Sequence, residues 1–474
     1  MRSWVSRCRK IFGTAGVRGR YLADVNPEMF LGLGASLATY LKARRSVVGG
    51  DGRLTTPVLK GSVVVGLLAA GCDVVDVGLV PLPVLAWSAR HLASDLGVYV
   101  TASHNPPHDN GLKAFYGNGM ELLEEDEIRV EELFLNRGWR HADWCDVGTL
   151  TSTGRVIDDY IAELLGRMEP LREGSRPKVL VDTANGGASL ATPRILVSMG
   201  ARVFTLNSNI DGRFPGRHPE PRPDVLEPLM PVARSLNVDI FLAHDGDGDR
   251  LAVLSPRSGF VKQDRIIALL AKHILSMKKG TVVVSIDVGN SVRDVVESAG
   301  GKLDITKLGA THTGLLRHSD VVMTAEPWKF IDPEWGPWVD GIYQAALLVK
   351  LMIDEGKNID ELLSEVPDYP QARVSIEVPK GLRDEVYERL SAKLMEWRTP
   401  EAEVFTLDGV RVNYEDKSWI LVRKSGTEPK VRIYGESLEY RALKDRVDAL
   451  LKEVSTTLKK HGINELRVDG KIIP

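Results

Sequence analysis

Apolar residues along this chain gather into short β-branched runs that alternate with helical stretches, and most runs stop at a polar, glycine-rich turn. Ser46 to Gly49 is one such run and ends in GGDGR. Thr55 and Pro57 then open a helix through Ala70, Val74 to Val77 forms a second strand, and Pro81 and Pro83 precede a helix over Val84 to Leu92. Leu96 to Thr101 is a third strand, which delivers its C-terminal end to SHNPPHDNG. Strands this short and continuously apolar are covered on both faces, as in a parallel sheet between helices. In such sheets ligands collect at the carboxyl ends of the strands.

The rhythm restarts near Val156, with strands at Val179 to Asp182, Arg202 to Leu206 and Val238 to Ala243. The first of these ends in TANGGAS and the third in HDGDGDR. A third block predicts a helix over Asp264 to Leu275, a strand over Thr281 to Asp287, a helix over Ser291 to Ser298 and a strand over Val321 to Thr324 before AEPWKF. After PDYP the pattern changes. Ala372 to Val378 alternates as a strand, Gly381 to Trp397 is helical, strands surround Val404, Trp419 and Val431, and an amphipathic helix runs from Ser437 to Glu453. The expectation is three related α/β domains and a smaller C-terminal α+β domain, at 1–155, 156–257, 258–368 and 369–474, with a linker near Pro367 to Gln371. The acidic stretch Glu121 to Glu132 predicts a solvated helix.

A chain of 474 residues exceeds one comfortable core, consistent with several domains. Its 61 basic and 64 acidic residues leave a formal net charge of -3, so no global positive field gathers nucleic acid or an anionic membrane, and any anion must be caught by a local site. Cys8, Cys72 and Cys145 have neither disulfide-framework nor zinc spacing, which fits a reducing cytoplasm. The basic start MRSWVSRCRK lacks the apolar core of a signal peptide. Asp73 and Asp76 interrupt the longest apolar stretch, Ser62 to Val84, which therefore reads as a helix followed by a strand rather than a membrane span. Oligomeric state is not fixed by composition, and a homo-oligomer stays open.

Candidate chemistry sits in the turns. Asp245, Asp247 and Asp249 alternate with glycines after a buried strand; such carboxylates can close around one hard cation such as Mg²⁺, and Arg250 beside them suits a phosphate. An acidic surface turn is the bland alternative. Ser103, followed by His104, stands at a strand end where a nucleophile can be presented; in isolation an ordinary polar turn is the better reading, and His108 and Lys113 nearby, able to serve developing phosphoryl charge, raise the catalytic one. Arg423, Ser425, Gly426, Thr427 and Arg432 could cradle a phosphate, or form a basic turn between strands. The cradle lacks the Walker A pattern, so ATP is not the implied donor. Arg18 lies in the glycine-rich FGTAGVRG. Glu326, beside Trp328 and Lys329, could accept hydrogen bonds from sugar hydroxyls; equally, Trp328, Trp335 and Trp338 could be packing anchors. His273 and His461 read as structural or surface residues.

Taken together, FGTAGVRG, TASHNP, DGDGDR, AEPWKF and RKSGTEPKVR, in this order along essentially the whole chain, resemble the α-D-phosphohexomutase family. The resemblance implies four domains around a central cleft, Ser103 as a phosphoserine, and Mg²⁺ held by Asp245, Asp247, Asp249 and the phosphate on Ser103. It also places Arg18, His104, Lys113 and Arg250 with the catalytic group and the Arg423–Arg432 loop on the distal phosphate, with Asp408 to Arg411 as the strand and turn before that loop. Small-molecule sugar phosphates are the implied partners, with a hexose bisphosphate as activator and intermediate. The first choice is interconversion of hexose 1-phosphate and hexose 6-phosphate in the manner of a phosphomannomutase or phosphoglucomutase. Phosphoglucosamine mutase, phosphopentomutase and a non-catalytic sugar-phosphate-binding protein are the alternatives. One departure is marked: the family's sugar loop carries Ser-Gly-His where this chain has Trp328-Lys329-Phe330.

Overall fold

The apolar runs become the central strands of the sheets. In the computed structural model, which describes residues 11–13, 16–169, 174, 176–425 and 429–473, Arg45–Gly50 lies between Leu96–Val100 and Asp73–Leu79, all parallel. Thr56–Ala69 covers this sheet because Leu59, Val63 and Leu67 recur at helical spacing and are fully buried, while Val58 and Val65 on its other side are exposed. The stretch from Ser62 to Val84 is thus the end of a helix and a strand, and no helix among the described residues is long and apolar enough to cross a membrane.

Sequence reading misses the other half of this sheet. Asp109–Tyr116, Gly16–Arg20 and Phe12–Gly13 extend it antiparallel from Leu96–Val100. Lys113 therefore sits within a strand opposite Tyr99, not in a polar excursion after the serine turn. Its ammonium is tolerated there because Asp249 lies 3.2 Å away and Glu121 3.8 Å away. The acidic helix, Glu124–Leu135, is not wholly solvated either: Val130 is buried, and the Glu131 carboxylate accepts the amides of Ile11 and Phe12 at 3.2 and 3.1 Å.

In the second sheet Lys178–Asp182 joins Arg202–Leu206 and Ile240–His244 in parallel, and Leu251–Ser255 returns antiparallel to Ile240–His244. His244 opposes Leu251, so Asp245 to Arg250 form the closing turn of a buried hairpin. The third domain centres on Thr281–Ser285, parallel to both Lys302–Thr306 and Val321–Glu326. The last is an antiparallel sheet whose helices Arg383–Glu396 and Tyr440–Lys460 share its core through Leu390, Leu394, Val447 and Leu450. The architecture is three α/β domains and a smaller C-terminal α+β domain. Packing groups the chain into two units, Met1–Gln263 with Leu315–Ser319 and Trp328–Leu363, and Asp264–Gly314 with Asp320–Pro327 and Ser364–Pro474.

Within the second unit a buried ionic cluster ties the C-terminal sheet to the turn after Thr281–Ser285. Arg373 bridges Asp287 at 2.9 Å and Asp264 at 3.4 Å, and Arg411, stacked 4.0 Å from the Trp419 ring, donates to the carbonyls of Ile286 and Val288. Glu436 accepts the amide of Asn290 and the Trp419 indole N–H. Burial, reinforced by Asp264, pushes the Glu436 carboxyl up to about 7. A carboxyl raised on folding stabilises the fold while it stays protonated, and that contribution is lost as pH rises from the ordinary carboxylate range through about 7. Glu436→Gln should therefore flatten the decline of the thermal midpoint between about pH 5 and pH 8 and exceed the wild type at the upper end. Parallel curves for the two proteins would refute this.

Candidate active site

Ser103 lies just beyond Leu96–Val100, after Thr101 and Ala102, at the strand end where the sheet delivers its turns. It is 1% exposed and adopts the left-handed region, φ 50°, which an L-residue enters at a cost of about 1 kcal/mol. The turn is held from inside: the Ser103 amide donates to Thr101 Oγ1 at 2.7 Å, and Thr101 Oγ1 lies 2.8 Å from Asp51 and 3.2 Å from Asp247. The hydroxyl that results is aimed at Asp245 Oδ2, 2.9 Å away, with His104 Nδ1 at 3.3 Å.

The hairpin turn brings the ligand oxygens of Asp245, Asp247 and Asp249 within 4.8 Å of one another, all buried. Gly246 permits this because a Cβ there would stand 2.7 Å from the Ser103 carbonyl oxygen. Asp245 Oδ1 accepts the amides of Gly248 and Arg250 at 3.1 and 3.2 Å, and Asp249 Oδ2 accepts Lys113. Asp247 Oδ1 and Asp249 Oδ1 are buried with no hydrogen-bond partner among the described residues. Orphaned oxygens of this kind, on three converging carboxylates, fit a divalent cation of the Mg²⁺ type.

Burial, then repulsion from Asp247 and Asp249, drives the Asp245 carboxyl well above its usual range, and Asp247 is raised by burial and Asp249. Burial acts upward on Asp249 too, yet Lys113, Lys329, Arg250 and Arg18 outweigh it and hold this carboxyl below its usual value. Burial pulls Lys113 down, but Glu121, Asp249 and Asp247 prevail and keep it a cation. His104 is depressed well below its ordinary value by burial and by Arg250, Arg18, Lys329 and Lys113, so at neutral pH it is a neutral imidazole. His108 by contrast points outward, 57% exposed beside Asp109.

Two supports lay outside what motif reading could find. His244, depressed to about 4 by burial, spans Thr192 Oγ1 at 3.0 Å and the Arg250 carbonyl at 3.1 Å, and Arg217 donates to the His244 carbonyl and to Asp182. Glu121, read from sequence as part of a solvated stretch, faces Lys113.

Of the sugar-loop residues, Lys329 is half-buried and acts electrostatically on both Asp249 and His104. Trp328 takes φ 68° and gives its carbonyl to the Leu251 amide at 3.0 Å. Phe330 is 1% exposed and stacks on Tyr343 with ring centroids 6.2 Å apart. Trp335 and Trp338 are packing anchors: both indole N–H groups donate to Asp340, which also accepts Tyr160 and caps the helix Gly341–Glu355 through the amides of Ile342 and Tyr343. That helix starts hard against the metal turn, where a Cβ on Gly341 would meet the Arg250 carbonyl oxygen at 2.7 Å. Glu326, in the second unit, is buried and accepts the Gly309 amide at 2.7 Å.

The distal basic turn is described in part, since Gly426 and Thr427 lie outside the described residues, as do Thr14 and Ala15 of FGTAGVRG. Arg423 stands directly opposite Arg432 in antiparallel register, an arrangement that like charges disfavour unless an anion or carboxylate intervenes. Asp408 meets Arg423 at 2.8 Å, and Arg383, unnoticed in the sequence, donates to the Ser425 carbonyl at 3.2 Å.

The carboxylate cluster gives a direct expectation for metal-free protein. Asp247→Asn removes one of three mutually repelling charges while keeping its shape, so it should raise the thermal midpoint without Mg²⁺ and abolish most of the stabilisation that Mg²⁺ adds. Titration calorimetry showing unaltered Mg²⁺ affinity in this variant would contradict the assignment.

Known proteins match this chain along most of its length. Family models for phosphoglucomutase/phosphomannomutase match at residues 9–141 and 158–259 as α/β/α domains I and II, at 262–369 as α/β/α domain III and at 370–453 as the C-terminal domain. The chain is 42% identical to a phosphopentomutase of Thermococcus kodakarensis over 90% of its own length and 94% of that protein's. It is 35% identical to the same organism's phosphoglucomutase/phosphomannomutase over 95% and 99%. A Burkholderia thailandensis phosphoglucomutase/phosphomannomutase family protein superposes with a TM-score of 0.83 at 25% identity, covering 94% of this chain and 97% of that one. With all four domain models matched in order and a relative 42% identical over 90% of its length, the chain belongs to the α-D-phosphohexomutase superfamily of intramolecular phosphotransferases.

Proposed function

We propose that this enzyme moves a phosphoryl group between two hydroxyls of one sugar phosphate by way of Ser103, and that its sugar is a pentose. The observation that carries the transfer is the Ser103 hydroxyl, buried and 2.9 Å from a carboxylate of the Asp245, Asp247 and Asp249 cluster, with Lys113 bonded to Asp249 of that cluster. Mg²⁺, when bound by these three aspartates, would offset negative charge on the transferring group. Arg18, Arg250 and Lys113 supply further positive charge to the group's oxygens, and neutral His104 lies within reach of the Ser103 oxygen. Lys113, held as an ammonium, stabilises charge and donates a proton rather than beginning as a base. Arg423, Ser425, Gly426, Thr427 and Arg432 hold the phosphate that does not react. Glu326, Trp328 and Lys329 contact the sugar. The boundaries that accompany this reading are 1–155, 156–257, 258–368 and 369–474, supported by the family segments. A cytoplasmic setting suits the substrates.

The sugar loop supports a pentose. Where the family's loop offers a serine and a histidine, this chain has Trp328 and Phe330, and Phe330 is locked against Tyr343, so fewer polar groups remain for sugar hydroxyls. The 42% identity to a phosphopentomutase points the same way. A hexose substrate is the second reading, favoured by the 35% relative named phosphoglucomutase/phosphomannomutase and by a 38% identical probable phosphoglucosamine mutase of Methanopyrus kandleri.

Ribose, glucose, mannose and glucosamine phosphates should be compared with Mg²⁺ and the matching bisphosphate. The pentose should lead in kcat/KM by about tenfold or more, equivalent to about 1.4 kcal/mol in transition-state binding; a hexose in first place would establish the second reading. Ser103→Ala should stay folded and lose turnover by about 1,000-fold or more. Incubation with sugar bisphosphate should add one phosphoryl group to the wild type at Ser103, whereas reversible binding alone would mark a non-catalytic sugar-phosphate-binding protein.

The two lysines separate by kinetics. Lys113→Met should depress single-turnover transfer by about 100-fold with little change in KM. Lys329→Met should chiefly raise KM. Normal transfer without Lys113 alongside lost transfer without Lys329 would exchange their roles.

A further inference from the structure

GGDGR, at the end of Arg45–Gly50, finds no place in the transfer chemistry, yet it carries a fully enclosed cation. The side chains of Asp51 and Arg53 have no solvent exposure and meet at 3.0 Å. Asp51 Oδ1 accepts the Arg53 amide and Thr56 Oγ1, and Asp51 Oδ2 accepts Arg53 Nε and Thr101 Oγ1. The remaining guanidinium donors all go to one segment of backbone. Nη1 donates to the carbonyls of Pro106 and Asp109 at 2.5 and 2.9 Å, and Nη2 to those of Ser103 and Asn105 at 2.8 and 2.7 Å. A guanidinium has five N–H donors in a rigid fork, and here each has an acceptor. The Phe214 ring covers its face at 4.9 Å.

Four carbonyl dipoles directed at one point repel each other unless a cation stands there, so the Ser103 to Asp109 turn is wound around Arg53. The consequence reaches the nucleophile through geometry. The Ser103 carbonyl that Arg53 grips is the same atom against which Gly246 of the metal turn packs. Thr101, which fixes the Ser103 amide, is itself held by Asp51. The left-handed φ of Ser103 is thus imposed from both ends of the residue. Because Asp51 and Arg53 cancel in charge, they fix this geometry without adding net charge to the phosphoryl site.

We infer that Arg53 is a positioning residue for phosphoryl transfer, acting through the Ser103 carbonyl to hold the serine oxygen in line with the metal-binding carboxylates. This rests on the reading of Ser103 as phosphoryl carrier. Lysine retains the charge at this position but offers three N–H groups on one atom and cannot span four carbonyls as the fork does.

The test compares wild type with Arg53→Lys during phosphorylation of Ser103 by sugar bisphosphate, followed by peptide mass spectrometry and phosphorus NMR. Wild type must first acquire phosphate on Ser103; if it does not, the proposed function falls and this inference with it. Given that labelling, Arg53→Lys should phosphorylate about 30-fold more slowly or worse, with KM for the sugar phosphate and Mg²⁺ affinity within about threefold of wild type and a displaced phosphoserine resonance. An unchanged labelling rate would overturn the inference, as would equal losses in rate, KM and Mg²⁺ affinity, which mark general disruption. Should Arg53→Lys fail to fold, Asp51→Asn reads the same quantity, since it weakens the grip on Arg53 and Thr101 together. Slower labelling at constant KM supports the inference, and a wild-type rate overturns it.

Discussion

Three carboxylates packed within 4.8 Å, out of contact with water, are the constraint around which the first unit is built. At an effective dielectric near 20, two unit charges about 4 Å apart repel by about 4 kcal/mol, comparable with much of a domain's net stability. The fold answers with cations drawn from separate stretches of chain: Arg18 near the start, Lys113 on an antiparallel strand, Arg250 at the end of the hairpin and Lys329 in the sugar loop. No single stretch could supply them. The same arrangement leaves two carboxylate oxygens without a partner among the described residues and a serine hydroxyl facing the cluster, so its electrostatic tension and its chemical capacity have one origin.

The second unit meets a comparable problem with a single orphaned carboxylate oxygen among the described residues, Asp264 Oδ1. Asp264, Asp287 and Glu436 are also buried, but Arg373 spans the first two and main-chain amide and indole donors satisfy the third. Fixed cations and neutral donors there make a structural joint, whereas the aspartate hairpin retains coordination positions. The contrast lies in the partners rather than in the acids.

Much of this was legible in the sequence. Parallel strands buried on both faces are written as plain apolar runs, and the glycine-rich turns after them announced Ser103 and the aspartates. The strand Asp109–Tyr116 was not legible, because a buried lysine in its middle looks like loop composition and its acceptable burial depends on Asp249, more than a hundred residues away. Glu121, Arg53 and Arg383 escaped for a related reason: each is defined by what it touches in three dimensions, with no local pattern to mark it. Trp335 and Trp338 allowed two readings, and Asp340 decides for packing by collecting both of their indoles.

Asp340 also bears on how this enzyme could change over evolutionary time. Its carboxylate unites Tyr160, Trp335, Trp338 and the first turn of Gly341–Glu355, and its amide holds the Phe330 carbonyl at 3.2 Å. The segment proposed to read the sugar is therefore continuous with the aromatic core of the unit. In many enzymes a recognition loop can drift freely because the scaffold does not depend on it. Here a lineage acquiring a new sugar would have to repack a slab of stacked rings at the same time, so substrate choice and foldability are inherited together.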